Sequence, residues 1–220
     1  MRTAVIAGAS GMIGSELCRQ LAREGSGFDR VVALTRRPLD FSFPKVVGQQ
    51  VDLGRLDAVD IGPVDAAFCA LGTTMKVAGS PEAFRLVDYD YVAAFARFAK
   101  AAGAKTFVLL TAVDAAAKSG NFYLQVKGED ELAVEAVGFA SLYIFRPSFL
   151  VGTRREVRVG ERIGIWAARA LQFALVGPLR KYRPIAAEAV AGGMRGAANA
   201  ASPGRHICHY DDIIKLANCR

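Results

Sequence analysis

Apolar and polar positions along this chain follow two alternating regimes, and the first change comes within fourteen residues. Residues 3–7, Thr-Ala-Val-Ile-Ala, form an apolar run of strand length with no polar alternation, the pattern of a strand covered on both faces. Residues 13–24 then repeat their apolar positions at helical spacing. The same change recurs down the chain. Strands are predicted at 30–35, 45–51, 66–70, 106–110 and 141–145. Gly25 and Gly27 stop the first helix. A second helix is predicted over 80–102, opened by Ser80 as N-cap, Pro81 at the first helical position and Glu82, and ended by Gly103. Its alanines and aromatics read as core. Further helices are expected over 122–137, closed by Gly138, and 186–200, with a terminal strand at 205–210 and a short helix at 211–217. Strands alternating with helices predict an α/β fold, a three-layer, doubly wound parallel sheet. With 220 residues, 52% of them apolar, the chain can build one complete core, so a single domain over 1–220 is expected.

The glycines between the first strand and helix have steric tasks. Gly8 permits the turn, Gly11 lets the backbone approach a ligand, and Gly14 lets the helix pack on the strand. The first-turn amides of Met12, Ile13 and Gly14 then face a place where a pyrophosphate can sit. The spacing is GxxGxxG, with Ser10 where the commoner dinucleotide fingerprint has its middle glycine, so the match to that pattern is partial. Beyond the second strand an NAD site places a carboxylate and an NADP site places arginine. Here the sequence is Thr35-Arg36-Arg37, which suits a 2′-phosphate, the alternative being a solvated basic loop. Asp52, followed by Leu53, ends the third strand beside the expected adenine position, or is simply a polar strand terminus. Leu71-Gly72-Thr73-Thr74 follows the fourth strand; the threonines reach cofactor ribose or close a turn. Pro147, which turns the chain over the site, is counted with the cofactor positions.

Chemistry is expected around the fifth and sixth strands. Thr111 lies at a strand end, and the helix after the following loop carries Tyr123 and Lys127, four residues apart and so on one face. The segment 149–220 is expected to wall the substrate side. Within it Arg154, Arg155, Arg158 and Arg162 precede an apolar stretch at 163–176 containing Trp166 and Arg169, read as a pocket-walling helix or, alternatively, an interfacial amphipathic one. Net charge is +7, which suits a phosphorylated cofactor; no basic run marks a nucleic-acid face. No stretch reaches a membrane-spanning length. Cys18, Cys69, Cys208 and Cys219 have no CxxC spacing and read as reduced thiols, and no secretory signal is visible, so a cytoplasmic protein is expected. His206, Cys208 and His209 are too few, and on alternating strand faces, for a metal site.

The glycine turn, Thr111, Tyr123, Lys127 and Arg146-Pro147-Ser148 together resemble the short-chain dehydrogenase/reductase superfamily in its atypical single-domain branch. More narrowly, Leu71-Gly-Thr-Thr, Phe84-Arg-Leu-Val-Asp-Tyr-Asp-Tyr91 and Asn121-Phe-Tyr-Leu-Gln-Val-Lys-Gly128 are similar to the Tat-interacting-protein oxidoreductase group. The resemblance covers nearly the whole chain and implies a Rossmann fold and NADP(H) as cofactor. It also implies that Lys127 holds cofactor ribose as well as acting in catalysis. The superfamily's strand-end hydroxyl is usually serine; Thr111 offers the same bond with an added methyl. The expected activity is reduction of a small carbonyl compound, or oxidation of an alcohol, by a monomer or homodimer. Tyr123 would exchange the proton, Lys127 would lower the phenol's pKa, and Thr111 would hydrogen-bond the substrate oxygen. The alternative is a non-catalytic NADP(H) sensor acting through a protein partner; a nucleotide-sugar epimerase is a weaker third reading, because the chain after residue 150 is short for a sugar-nucleotide domain.

Overall fold

The computed structural model describes residues 1–151 and 175–219. The predicted strands are present as β1 (Thr3–Ala7), β2 (Arg30–Thr35), β3 (Val46–Gln50), β4 (Ala66–Cys69), β5 (Thr106–Leu110) and β6 (Ser141–Phe145). After a two-residue pair, β7 (Leu150–Val151) and β8 (Ile185–Ala186), the last strand is β9 (Gly204–Cys208). The main sheet has the order β3-β2-β1-β4-β5-β6-β9 and every pairing in it is parallel. This is a three-layer Rossmann fold extended by one strand, with a small C-terminal extension packed beyond β6. The order reverses between β1 and β4, and the crevice opens at the carboxyl ends of those two strands.

Continuous apolar runs form the inner strands β1, β2, β4, β5 and β6 because both faces of the sheet are covered there. Along β1, Ala4 and Ile6 enter one core layer while Val5 and Ala7 enter the other. The first layer is closed by α1 (Met12–Leu21), α6 (Ala187–Ala200) and α7 (Tyr210–Asn218), through Leu17, Val190, Met194 and Ile213. On the opposite side α4 (Tyr91–Ala101) and α5 (Phe122–Glu135) contribute Val92, Phe95, Ala99 and Val134. The start of β1 is clamped to the end of α6: Arg2 donates to Asn199 Oδ1 at 2.7 Å and to the Ala198 carbonyl at 2.5 Å.

Three elements differ from the sequence expectation for identifiable reasons. Helix α1 ends at Leu21 and not at 24, because the Ser26 hydroxyl donates to the Leu21 carbonyl at 2.7 Å and closes the helix early. The helix predicted over 80–102 is α3 (Pro81–Arg85) and α4 joined by a π-helical segment, Leu86–Asp90, which carries a fully buried carboxylate, Asp88, inward. A short helix, α2 (Met75–Ala78), was not expected; the Thr74 hydroxyl caps it by accepting from Val77 N at 3.2 Å. Cys18, Cys69 and Cys208 are buried free thiols, and Cys219 is an exposed one. The stretch read as a substrate wall at 163–176 lies, up to residue 174, outside the described residues, as do Arg154, Arg155, Arg158, Arg162, Trp166 and Arg169.

Candidate functional site

The site is built at the switch point from the ends of β1, β2 and β4. Gly8 has φ +91°, and a Cβ there would lie 2.4 Å from the Ala70 carbonyl oxygen. Both the turn and the close approach of β4 therefore require glycine. A Cβ on Gly14 would lie 2.1 Å from the Gly8 carbonyl oxygen, so this glycine brings α1 onto the turn. Helix α1 has no side-chain cap hydrogen bond and no acidic residue in its first turn. Its free amides and positive dipole end therefore face the crevice without competition from the protein's own carboxylates.

A cavity of about 150 Å³ runs along this edge. Gly8, Ser10, Gly11, Arg36, Leu53, Leu71 and Gly72 line it, together with Val87 and Tyr91, which the sequence reading quoted in the Phe84–Tyr91 segment without giving them a cofactor role. A second cavity of about 450 Å³ is lined by Arg36, Gln50, Val51 and Asp52, so Arg36 borders both. Met12, Ile13 and Gly14 form the first turn of α1, Arg37 is exposed beside Arg36, and Pro147 is buried with its carbonyl accepting from Val113 N at 3.0 Å. Asp52 accepts from Gly54 N at 2.9 Å, closing a turn, and Thr73 N donates to Asp88 Oδ2 at 2.8 Å.

The chemistry-bearing side chains converge on α5. Asn121 caps this helix by accepting from Leu124 N at 3.2 Å, and Tyr123 follows in the first turn, 36% exposed, its ring 5.7 Å from that of buried Phe84. One turn further, Lys127 is buried, with Nζ 2.8 Å from Asp88 Oδ1. A Cβ on Gly72 would come within 3.8 Å of that Nζ, so the bare glycine leaves the ammonium facing the end of β4. Burial opposes the Lys127 charge, but Asp88 and Asp130 overcome it and hold the ammonium above its ordinary range. For Tyr123, Lys127 lowers the phenol as expected but does not decide the net shift. Burial raises its phenol, and the pull of Lys127 is countered by the repulsion of Asp88, so the net shift is upward.

Thr111 belongs to a neighbouring network. Its hydroxyl donates to Glu131 Oε1 at 2.8 Å and lies 3.3 Å from the Phe145 carbonyl. Glu131 is nearly fully buried and is gripped by Arg146, whose Nε donates to the same oxygen at 2.9 Å and whose other arm pairs with Glu131 Oε2. The single Thr111 proton is thus engaged by the Glu131 carboxylate. The loop between Thr111 and Tyr123 is pinned from the C-terminal segment: Lys181 Nζ and Tyr182 Oη donate to Asp114 at 2.6 and 2.7 Å. These bonds hold the Asp114 carboxyl below the usual carboxylate range.

Apart from Lys127, the charged inner face of α5 was missed by sequence reading. Lys127, Asp130 and Glu131 are buried beside Val126 and Val134, and Asp88 occupies the stripe set by Phe84, Val92 and Phe95. The signal was present as charged residues at the phase of an apolar stripe, which globular proteins bury only when paired or functional. At the other end of the sheet, the His206 ring stacks on Tyr143 at 4.5 Å and its Nε2 lies 3.0 Å from the Ser202 carbonyl. Among the described residues no cluster of His, Cys, Asp or Glu could hold a metal ion, and no helix is long and apolar enough to cross a membrane.

Comparison with known proteins gives this geometry a family. Residues 8–144 match the family model described as NAD(P)H-binding. The chain is 39% identical over 175 residues to Protein HTATIP2 of Rattus norvegicus, covering 76% of this chain and 69% of that protein. It is 30% identical over 224 residues to Protein FMP52, mitochondrial, of Candida albicans, covering 97% of both. Among solved structures it resembles the Bordetella bronchiseptica enzyme WbmH in complex with NAD+, with a TM-score of 0.69 at 18% identity, over 95% of this chain and 75% of that one. That likeness is one of fold. The expectation of a cytoplasmic protein is overturned by the relatives, several of which bear the designation mitochondrial. The match over 8–144 and the relatives that cover most of its length show that this chain belongs to the NAD(P)H-binding family.

Proposed function

We propose that the protein is an NADPH-dependent reductase of small carbonyl compounds, with Tyr123 as the proton donor. The observation that carries this reading is Tyr123 and buried Lys127 on one face of α5, with Lys127 held by Asp88 beside Gly72 at the end of β4. The residues present fit a dinucleotide: uncapped α1 amides for a pyrophosphate, a glycine-lined cavity, and Arg36 at the junction of two cavities for a 2′-phosphate. A nicotinamide nucleotide bound there supplies hydride. Tyr123 donates its proton to the substrate oxygen. Burial and the repulsion of Asp88 raise the phenol, so Tyr123 holds its proton before the reaction, the state in which it can donate. Lys127 addresses cofactor ribose from the Gly72 side. Thr111, with its proton on Glu131, acts by positioning α5 relative to β5 and β6. Lys181 and Tyr182 steady the loop before Tyr123 through Asp114.

Tyr123→Phe is expected to lower NADPH-dependent carbonyl turnover by about 10²-fold or more, the scale of a lost general acid, with NADPH affinity nearly unchanged. Turnover equal to wild type would remove Tyr123 from the chemistry. The engagement of the Thr111 proton by Glu131 favours a second reading, an NADP(H)-binding sensor without turnover. It predicts that wild type binds NADPH, consumes none across a broad panel of carbonyls, and binds a protein partner differently with oxidised and reduced nucleotide.

A further inference from the structure

Between Thr111 and Tyr123 the chain passes through a loop rich in alanine, Ala112, Ala115, Ala116 and Ala117, whose methyl groups can form no polar tie. Among the described residues, the side chain of this loop that bonds to a distant part of the fold is that of Asp114. Both of its oxygens are engaged, Oδ1 by Lys181 Nζ at 2.6 Å and Oδ2 by Tyr182 Oη at 2.7 Å. Asp114 also has φ +61°, a left-handed conformation that short polar side chains tolerate and most others adopt at a cost. The two donors stand on a fixed base. Their turn, Gly177–Tyr182, is tied to the start of α7 by Arg180, whose Nε and Nη2 donate to Asp211 Oδ1 at 3.1 and 2.5 Å. It is tied to the segment after β6 by the Ser148 hydroxyl, which donates to the Tyr182 carbonyl at 3.0 Å. From Asp114 the loop reaches α5 within three residues. Ala116 N donates to the Leu124 carbonyl at 3.1 Å, and a Cβ on Gly128 would lie 2.1 Å from Ala117 N. Leu124 directly follows Tyr123 and Gly128 directly follows Lys127, so the loop is seated against the two turns of α5 that carry the site residues.

We propose that Asp114 is a positioning residue for the reaction at Tyr123, and that the turn carrying Lys181 and Tyr182 is a strap latched onto it. The proposal rests on the reductase reading above. The latch puts no atom on substrate or cofactor. It fixes the loop, the loop fixes the first turn of α5, and that turn fixes the direction in which the phenol delivers its proton. The first turn needs such support, because Phe122 and Tyr123 are 37% and 36% exposed and their rings rest on Phe84 at 5.8 and 5.7 Å, which steadies them from one side. A reacting group displaced by about 1 Å can lose as much as ~10²-fold in rate. The Lys181–Asp114 pair is itself partly open to solvent, and such pairs add little to global stability. Its loss is therefore felt in turnover and not in melting.

The test compares wild type with Asp114→Asn, which tolerates the same left-handed backbone and gives up the charge, and with the double variant Lys181→Met, Tyr182→Phe, which removes both donors from the other side. Hydrogen exchange of the ligand-free proteins, read by mass spectrometry over peptides spanning 112–124, should be about tenfold faster in both variants, with β1, β5 and the thermal midpoint unchanged. Unchanged exchange in that loop overturns the proposal irrespective of turnover. With NADPH and a panel of small carbonyls headed by benzaldehyde, hexanal and cyclohexanone, kcat should fall about tenfold in either variant while KM for NADPH stays the same. Combining all three substitutions should cost no more than the larger of the two losses, because one latch can be lost only once. Lys181→Arg, which keeps a cationic donor, should retain most of the activity. An unchanged kcat in Asp114→Asn, additive losses, or a loss that follows a lowered thermal midpoint overturns the proposal. Wild type whose loop responds as expected but which oxidises no NADPH with any of these carbonyls overturns the reductase reading, and the positioning role with it.

Discussion

At the scale of single residues the site is governed by one buried ammonium among carboxylates. Lys127 and Asp88 are both almost wholly removed from water, so each depends on the other for its charge. Lys127→Met should destabilise the protein by about 3–5 kcal/mol, the usual cost of leaving a buried charge alone. Adding Asp88→Asn should return most of that loss, because asparagine removes the orphan charge and still accepts from Thr73 N. Denaturant titration of both variants checks this; equal instability of single and double variants would mean the pair is not the source. Arg36 presents a different balance, being exposed and bordering two cavities. Arg36→Ala should weaken NADPH binding by roughly tenfold, equivalent to ~1.4 kcal/mol, and leave NADH nearly unaffected. Fluorescence titration with both nucleotides would expose a uniform loss, which would remove the 2′-phosphate assignment.

At the scale of elements, close backbone approach decides where the helices sit. A Cβ on Gly128 would lie 2.1 Å from Ala117 N and 2.2 Å from the Ala116 carbonyl carbon, so α5 rests directly on the loop after β5. Gly128→Ala should therefore cost about 1–3 kcal/mol as an overpacking change and push Tyr123 and Lys127 off their partners. A fall in both thermal midpoint and NADPH-dependent turnover is the expected result; an alanine tolerated in both respects would refute the tight seating. All seven strands of the main sheet were legible in the sequence, most of them because parallel strands covered on both faces are unbroken apolar runs, as in β1 and β5. The glycine turn was legible for a similar reason, since its residues are local and their spacing is sterically set. The charged inner face of α5 was legible only at Lys127, because a search for apolar periodicity treats Asp130 and Glu131 as outward positions. The π-helical segment escaped as well, since Leu86 to Asp90 differs from an α-helical turn only in hydrogen-bond partners. Which way the Thr111 hydroxyl points depends on Glu131 and Arg146, residues distant in the chain, and only the folded structure brings them together.

At the scale of the whole molecule, the fold is a sandwich whose last quarter seals its first. Helix α6 packs on α1 and under α7, and a Cβ on Gly196 would lie 2.1 Å from the Leu216 carbonyl oxygen, so α6 and α7 form one tightly joined lid over the core layer behind β1. Met194 is fully buried in that layer. Met194→Ala should lower global stability by about 2–5 kcal/mol, read by circular dichroism during chemical unfolding. A loss confined to the C-terminal helices, with the remainder melting at the wild-type midpoint, would show instead that the lid unfolds on its own. The Arg2 clamp to Ala198 and Asn199 has a further consequence for synthesis. On the ribosome β1 emerges well before α6, the helix about 190 residues later that shields one of its greasy flanks. Until that helix emerges the nascent chain carries an adhesive face on β1, the kind of surface that chaperones cover.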